Sequence, residues 1–305
     1  MKHQIIDAKI AREITYSHAV QGRAARTLVR FLENATGRIG LIRKAKGYET
    51  ELGQGADFWA VIARRYGLRL DVIGGSLDDI PSTGPLIVVA NHPYGILDGL
   101  MLGRILSGRR NGDFKIMAHA VFNRAEELRK VILPISFDET KEAARSNLET
   151  RAEAIRYLSE GGAIGIFPGG TVSTASRPFD QPMDPSWRNF TAKMIAKSGA
   201  TVVPVFFEGR NSRLFNLASH LHATLRVGML IREFRARVGT DVRVVIGRPI
   251  PAETLAKYAG DAKACMDFLR KQTYDLSPRP MDSDRLGHEF EAKYKGRQDG
   301  SGGFR

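Results

Sequence analysis

One cysteine in 305 residues, Cys265, removes any internal disulfide from consideration and fits a reducing compartment. It stands among Ala264, Met266, Phe268 and Leu269 in the pattern of an apolar helix face, so it reads as core filler rather than as a nucleophile. Long hydrophobic runs are missing. No window approaches the roughly 18 apolar residues of a spanning helix, and any membrane contact is expected to be peripheral. The opening MKHQIIDAKIAREI breaks each apolar cluster with a charge and holds no signal-peptide core. No spaced set of His, Cys, Asp and Glu marks a metal site, and His220-Leu221-His222 suits a helix surface or packing better than zinc. Neither a metal nor a bound cofactor is expected. Aromatic-studded basic strands, helix-turn-helix patterns and zinc fingers are absent as well, so nucleic acid is not an expected partner.

Acidic residues are in deficit. Lys and Arg number 46 against 33 Asp and Glu, a formal net charge of +13. That excess points to a polyanionic partner, such as an anionic membrane face or a phosphorylated substrate. Segments 23–34 and 55–66 read as amphipathic helices, and Arg43-Lys44-Ala45-Lys46 lies between them. Apolar faces flanked by such charges suit either packing on a main domain or a lipid interface.

The length suits one large α/β domain with an appendage. Strand-like runs at 68–73, 86–90, 114–118, 163–167, 201–207 and 241–246 alternate with helical spacing at 99–107, 122–133, 140–159, 187–197, 212–220 and 252–275. This alternation predicts an α/β layered fold, with a mostly parallel or mixed central sheet flanked by helices and an N-terminal helical region. The expected division is an amphipathic helical region at 1–67, the α/β domain at 68–276 and a polar, flexible tail at 277–305.

The run Asn91-His92-Pro93-Tyr94-Gly95-Ile96-Leu97-Asp98-Gly99 follows the apolar strand Leu86 to Ala90. Strand ends are where α/β sheets keep their chemistry, and Gly95 and Pro93 allow a turn tight enough for Asp98 to reach back to His92. The alternative is a helix cap, with Asn91 or Asp98 capping and His92 merely exposed. A second strand, Ile164 to Phe167, runs into Pro168-Gly169-Gly170-Thr171-Val172-Ser173. Backbone N–H groups in such a glycine turn can converge on an anion or a developing oxyanion. Arg177 and Arg188 follow closely.

Asn91-His92 with Asp98, then Phe167-Pro168-Gly169-Gly170-Thr171, then Val203-Pro204-Val205, resemble in order and spacing the blocks of the glycerolipid acyltransferase family, the lysophosphatidic-acid-acyltransferase-like enzymes. Phe207-Glu208-Gly209-Arg210-Asn211-Ser212 and Gly247-Arg248-Pro249-Ile250 resemble the bacterial, hemolysin-like branch that includes lyso-ornithine-lipid acyltransferases. The resemblance covers about 68–251. It implies transfer of a fatty acyl group from an acyl carrier protein or coenzyme A thioester to the hydroxyl of a lysolipid, at the cytoplasmic face of the inner membrane. It also implies His92 as general base and Asp98 as the group that orients it.

Three departures bear on the acceptor. Five residues separate His92 from Asp98 where the family has four. Gly169 and Val172 stand where Glu and Arg are usual, and no clear arginine occupies the block around Leu133 to Asp138. Lys141 and Arg145 are candidate substitutes there, and Arg177, Arg188 and Arg210 are candidate anion ligands beside Gly169, Gly170 and Thr171. The leading expectation is a lysophospholipid acceptor such as lysophosphatidate. A lyso-ornithine-type aminolipid is the alternative acceptor, and a non-catalytic basic protein on anionic membranes is the alternative class.

Overall fold

A computed structural model of the chain describes residues 14–124, 126–136 and 140–291. Residues 1–13 of the opening run, the closing GSGGFR and Phe137-Asp138 of the intermediate block lie outside them. Four helices come first: α1 (Arg23–Ala35), α2 (Arg38–Ala45), α3 (Tyr48–Gly53) and α4 (Phe58–Arg65). There follow β1 (Arg69–Gly74), β2 (Leu86–Ala90), α5 (Ile96–Arg110), β3 (Lys115–His119), α6 (Glu126–Arg129), β4 (Ile132–Ile135), α7 (Lys141–Ser159) and β5 (Ala163–Ile166). The chain continues through α8 (Phe190–Ser198), β6 (Thr201–Phe207), α9 (Arg213–Leu221), α10 (Ala223–Arg237), β7 (Asp241–Ile246), α11 (Ala252–Leu255) and α12 (Ala262–Tyr274).

The seven strands form one sheet in the order β1-β7-β6-β2-β5-β3-β4. Strands β6, β2, β5, β3 and β4 run parallel, whereas β7 is antiparallel to β6 and carries β1 parallel to itself. The expected mixed, mostly parallel sheet between helices is therefore present. Every residue of β2 is buried, as a continuous apolar run must be when helices cover both faces. Successive side chains of a strand point to opposite faces. Leu86, Val88 and Ala90 accordingly join one core with α5, Trp59 and the N-terminal residues Leu41, Ala45 and Tyr48. Ile87 and Val89 join the other, with Ala154, Leu158, Met194, Ile195, Met266 and Leu269. Gly103 of α5 is a contact point for the first core, because a Cβ there would lie 2.2 Å from the Trp59 ring.

Three elements differ from the sequence expectation. The helix expected over 122–133 is replaced by a 3-10 turn at Ala120–Arg124, the short α6 and the edge strand β4. Short apolar runs do not distinguish helix from strand by spacing, and Pro134 is tolerated because β4 ends the sheet. The helix expected over 252–275 is broken between α11 and α12, where Gly260 takes φ +92° and Asp261 caps Ala264 N–H. Helix α10 was not expected at all, although its Leu230, Ile231 and Phe234 are buried at helical spacing.

The tail is a further correction as far as Glu291. Gly287 N–H donates to the Asp184 carbonyl and His288 N–H to the Thr174 carbonyl, at 2.9 Å each, and the guanidinium of Arg270 takes the Ser283 and Arg285 carbonyls. Backbone groups of the tail, which composition does not register, make these contacts.

Candidate active site

Strands β2, β5 and β6 lie side by side and parallel, so the loops leaving their C-terminal ends meet. Asn91, just past β2, ties two of these ends together: its Nδ2 donates to the Phe207 carbonyl at 3.0 Å and its Oδ1 accepts from Phe207 N–H at 2.7 Å. The next residue is His92. Its Nδ1 lies 3.0 Å from Asp98 Oδ2, with the His92 side chain 17% exposed and that of Asp98 fully buried. Nδ1 is enclosed, so Nε2 is the nitrogen left to serve as base.

The turn between them serves both readings of the pair. Gly95 is the residue before α5 and has φ +87° and ψ −111°, a region open essentially to glycine alone. Asp98 is then the third residue of the helix, where its Oδ2 accepts from Tyr94 N–H at 2.7 Å and Gly95 N–H at 2.9 Å. The carboxylate caps the helix and faces His92 at once. Burial pushes the Asp98 carboxyl above the usual carboxylate range, and His92 and the two amides oppose that shift. Its other oxygen, Oδ1, is enclosed with no hydrogen-bond partner among the described residues.

The glycine loop runs alongside. Phe167 stacks on the His92 ring with centroids 4.0 Å apart and planes 22° apart, and Ser173 N–H donates to the His92 carbonyl at 2.7 Å. Gly170 N–H is consumed by the Phe167 carbonyl at 3.0 Å. Among the described residues no acceptor is bonded to the N–H groups of Gly169, Thr171 or Val172, which leaves the amides of the loop, rather than that of Gly170, for an oxyanion.

Asp184, which sequence reasoning did not single out, is the hub beneath both loops. Its carboxylate accepts from His92 N–H (3.2 Å), Ser173 Oγ and Trp187 Nε1 (2.9 Å), and its own N–H donates to Tyr274 Oη at 2.8 Å. A Cβ on Gly169 would come within 3.2 Å of Asp184 Cβ, which explains why glycine stands there. No local motif marks an aspartate that acts across 92 residues of chain.

The basic candidates scatter. The Arg188 guanidinium is already taken by Glu289 Oε2 (2.7 Å), Glu289 Oε1 (3.0 Å) and Glu291 Oε1 (3.0 Å), and its N–H donates to the Pro168 carbonyl. It anchors the tail to the loop. Arg177 is exposed on a surface turn, and Arg210 is exposed with its carbonyl accepting from Arg237. Lys141 and Arg145 are exposed on α7, Arg145 paired with Glu149 at 3.1 Å. Helix α7 follows β4, which lies three strand spacings, about 14 Å, from β2. Lys141 and Arg145 therefore stand away from His92, whereas Arg210 follows Gly209, which packs against the Tyr94 phenol. The missed basic residue is Arg226 on α10, whose Nη2 donates to Thr171 Oγ1 and to the Val172 carbonyl, both at 2.8 Å.

Among the described residues no group of three His, Cys, Asp or Glu is placed to hold a metal ion, and no helix is long and apolar enough to cross a membrane.

A polarised histidine with a loop of unbonded amides beside it suits acyl transfer, and comparison with known proteins agrees. The curated lyso-glycine lipid O-acyltransferase of Phocaeicola vulgatus is 27% identical over 228 residues, 73% of this chain and 78% of that protein. Its namesake in Bacteroides thetaiotaomicron is 28% identical over 230 residues, 73% and 80% of the two chains. A looser likeness is to the crystal structure of the 1-acyl-sn-glycerophosphate acyltransferase PlsC from Thermotoga maritima, with a TM-score of 0.46 and 16% identity over 92% of this chain and 98% of that one. The acyltransferase family model matches residues 48–282, a span that holds His92, Asp98, the glycine loop, Asp184 and Arg226. The chain is an enzyme of the acyltransferase family.

Proposed function

We propose that this enzyme transfers a fatty acyl group from a thioester, on acyl carrier protein or coenzyme A, to the free hydroxyl of a lysolipid whose headgroup is an amino acid. The observation that carries the chemistry is the His92 Nδ1 contact with buried Asp98. An alcohol is a weak nucleophile at neutral pH, so His92 Nε2 accepts its proton as the oxygen attacks the thioester carbon. Asp98 stabilises the resulting imidazolium, and the loop amides receive the oxyanion of the tetrahedral intermediate. Collapse of that intermediate breaks the C–S bond, and the imidazolium returns its proton to the thiolate. The products are an ester and a free thiol.

Two considerations favour an aminolipid acceptor over lysophosphatidate. Gly169 and Val172 replace the Glu and Arg usual in the loop, and the curated relatives are named for a lyso-glycine lipid. We further propose that the enzyme works from an anionic membrane surface, at the cytoplasmic face of the inner membrane. Leu28, Phe31 and Ile39 are exposed on α1 and α2 among Arg23, Arg26 and Arg43.

The test is transfer of a labelled acyl chain from acyl carrier protein and from coenzyme A to lyso-glycine lipid, lyso-ornithine lipid and lysophosphatidate. Wild type is expected to acylate the amino-acid lipids best, and His92→Ala to lose at least about 10²-fold in turnover. Equal turnover by the two proteins sinks the role of His92, and a clear preference for lysophosphatidate sinks the acceptor.

A further inference from the structure

Arg226 reaches the glycine loop from α10 and has no part in the proton transfer. Besides its bonds to Thr171 and Val172, its Nη2 lies 3.4 Å from Thr174 Oγ1. Its guanidinium stands 4.3 Å from the Phe290 ring centroid and 5.6 Å from that of Phe215. Only one of its three nitrogens is satisfied. Nε is enclosed with no partner, and Nη1 bonds to none of the described residues.

Other buried arginines are completed differently. Arg188 has carboxylates on both terminal nitrogens, and Arg110 has backbone carbonyls on both. No carboxylate contacts Arg226 among the described residues, and burial without one pushes its guanidinium down to about 10. A half-buried cation with one bonded nitrogen and no counter-charge is unfavourable until an anion completes it. Arg226 binds the loop that flanks the reacting group. Val172 packs so closely on Gly95 that a Cβ there would lie 3.1 Å from Val172 Cγ2, and Ser173 holds the His92 carbonyl.

Resting on the aminolipid reading above, we propose that Arg226 binds the headgroup carboxylate of the acceptor through Nη1, with the lipid hydroxyl at His92. The acceptor is then an N-(hydroxyacyl) amino acid with a free carboxylate. The Arg226 bond to Thr171 holds the guanidinium in place, and the carboxylate supplies the missing charge.

The experiment compares N-(3-hydroxyacyl)glycine with its uncharged methyl ester and with lysophosphatidate, using wild type, Arg226→Gln and Arg226→Lys. A charge-assisted hydrogen bond corresponds to roughly a ten- to hundred-fold preference. Wild type is expected to favour the acid over the ester by that factor in kcat/KM, carried by KM. In Arg226→Gln the acid-to-ester ratio falls toward one, and in Arg226→Lys it is intermediate. Should the Gln variant not fold, the Lys variant decides: a raised KM for the acid against the ester supports the assignment, and equal change in both overturns it. A wild type that turns over acid and ester equally well, or a Gln variant that slows both acceptors alike, overturns it as well and leaves Arg226 a strut for the loop. Lysophosphatidate turned over as well as the acid, with the same dependence on Arg226, overturns the choice of carboxylate. No transfer from wild type to any acceptor overturns the aminolipid reading itself.

Discussion

Asp98 does two jobs with one oxygen. It caps Tyr94 and Gly95 N–H and faces His92, all through Oδ2, so substitutions separate the roles. Asp98→Asn keeps an oxygen for both amides and loses the charge that steadies the imidazolium. Turnover is expected to fall about ten- to hundred-fold while the fold persists. Asp98→Ala loses the cap too and is expected to cost a further ~2 kcal/mol of stability. The pH dependence has a definite sign. Burial raises the Asp98 carboxyl in the folded protein, so its contribution is most favourable when protonated and is lost as pH rises through the folded value. Asp98→Asn should therefore gain stability relative to wild type from acid to neutral pH. Denaturant unfolding of both proteins at the two pH values reads this directly, and an unchanged or opposite difference counts against it.

At the scale of elements, the strand-to-helix turn after β2 depends on a conformation that only glycine adopts. Gly95 has φ +87°, and a Cβ there would also press on Val172 at 3.1 Å. Gly95→Ala is expected to cost about 1–3 kcal/mol and to reduce turnover as well, because Asp98 lies on the first turn of the helix that Gly95 starts. Thermal unfolding and the transfer assay together check it; an active variant of native stability would mean that the turn relaxes without moving Asp98. The glycine loop is held differently. Phe167 lies against the histidine ring, Ser173 against the histidine backbone, and Thr174 against the tail, so the loop is positioned by its neighbours on both sides.

At the scale of the whole molecule, the helices that precede the sheet belong to its core while turning some apolar side chains outward. Val29, Leu41 and Tyr48 are buried, whereas Leu28 is 42% exposed and Phe31 67%. Removing the first fifty residues would strip the core and confound any test of membrane binding. Point substitutions avoid this. Leu28→Ser with Phe31→Ser is expected to weaken co-sedimentation with anionic vesicles about tenfold or more, given the free energy of burying two such side chains. Binding by wild type should also decline as salt rises. Vesicle binding that neither the double substitution nor salt reduces overturns the membrane proposal.

Much of the fold was legible because its central strands are continuous apolar runs that only a sheet covered on both faces can hide, as Leu86 to Ala90 demonstrates. The pairing of His92 with Asp98 was legible because both lie in one turn, within seven residues of each other. What sequence could not determine is whatever depends on distant chain meeting that turn. Asp184 under Gly169, Arg226 on Thr171 and Glu289 on Arg188 act across 15, 55 and 101 residues, and no spacing rule reaches so far. For the same reason Arg188, Arg177, Arg210, Lys141 and Arg145 looked equivalent in one dimension. Only the packing of helices and tail against the sheet decided that one anchors the tail, four face solvent and a sixth, Arg226, holds the loop beside the reacting groups.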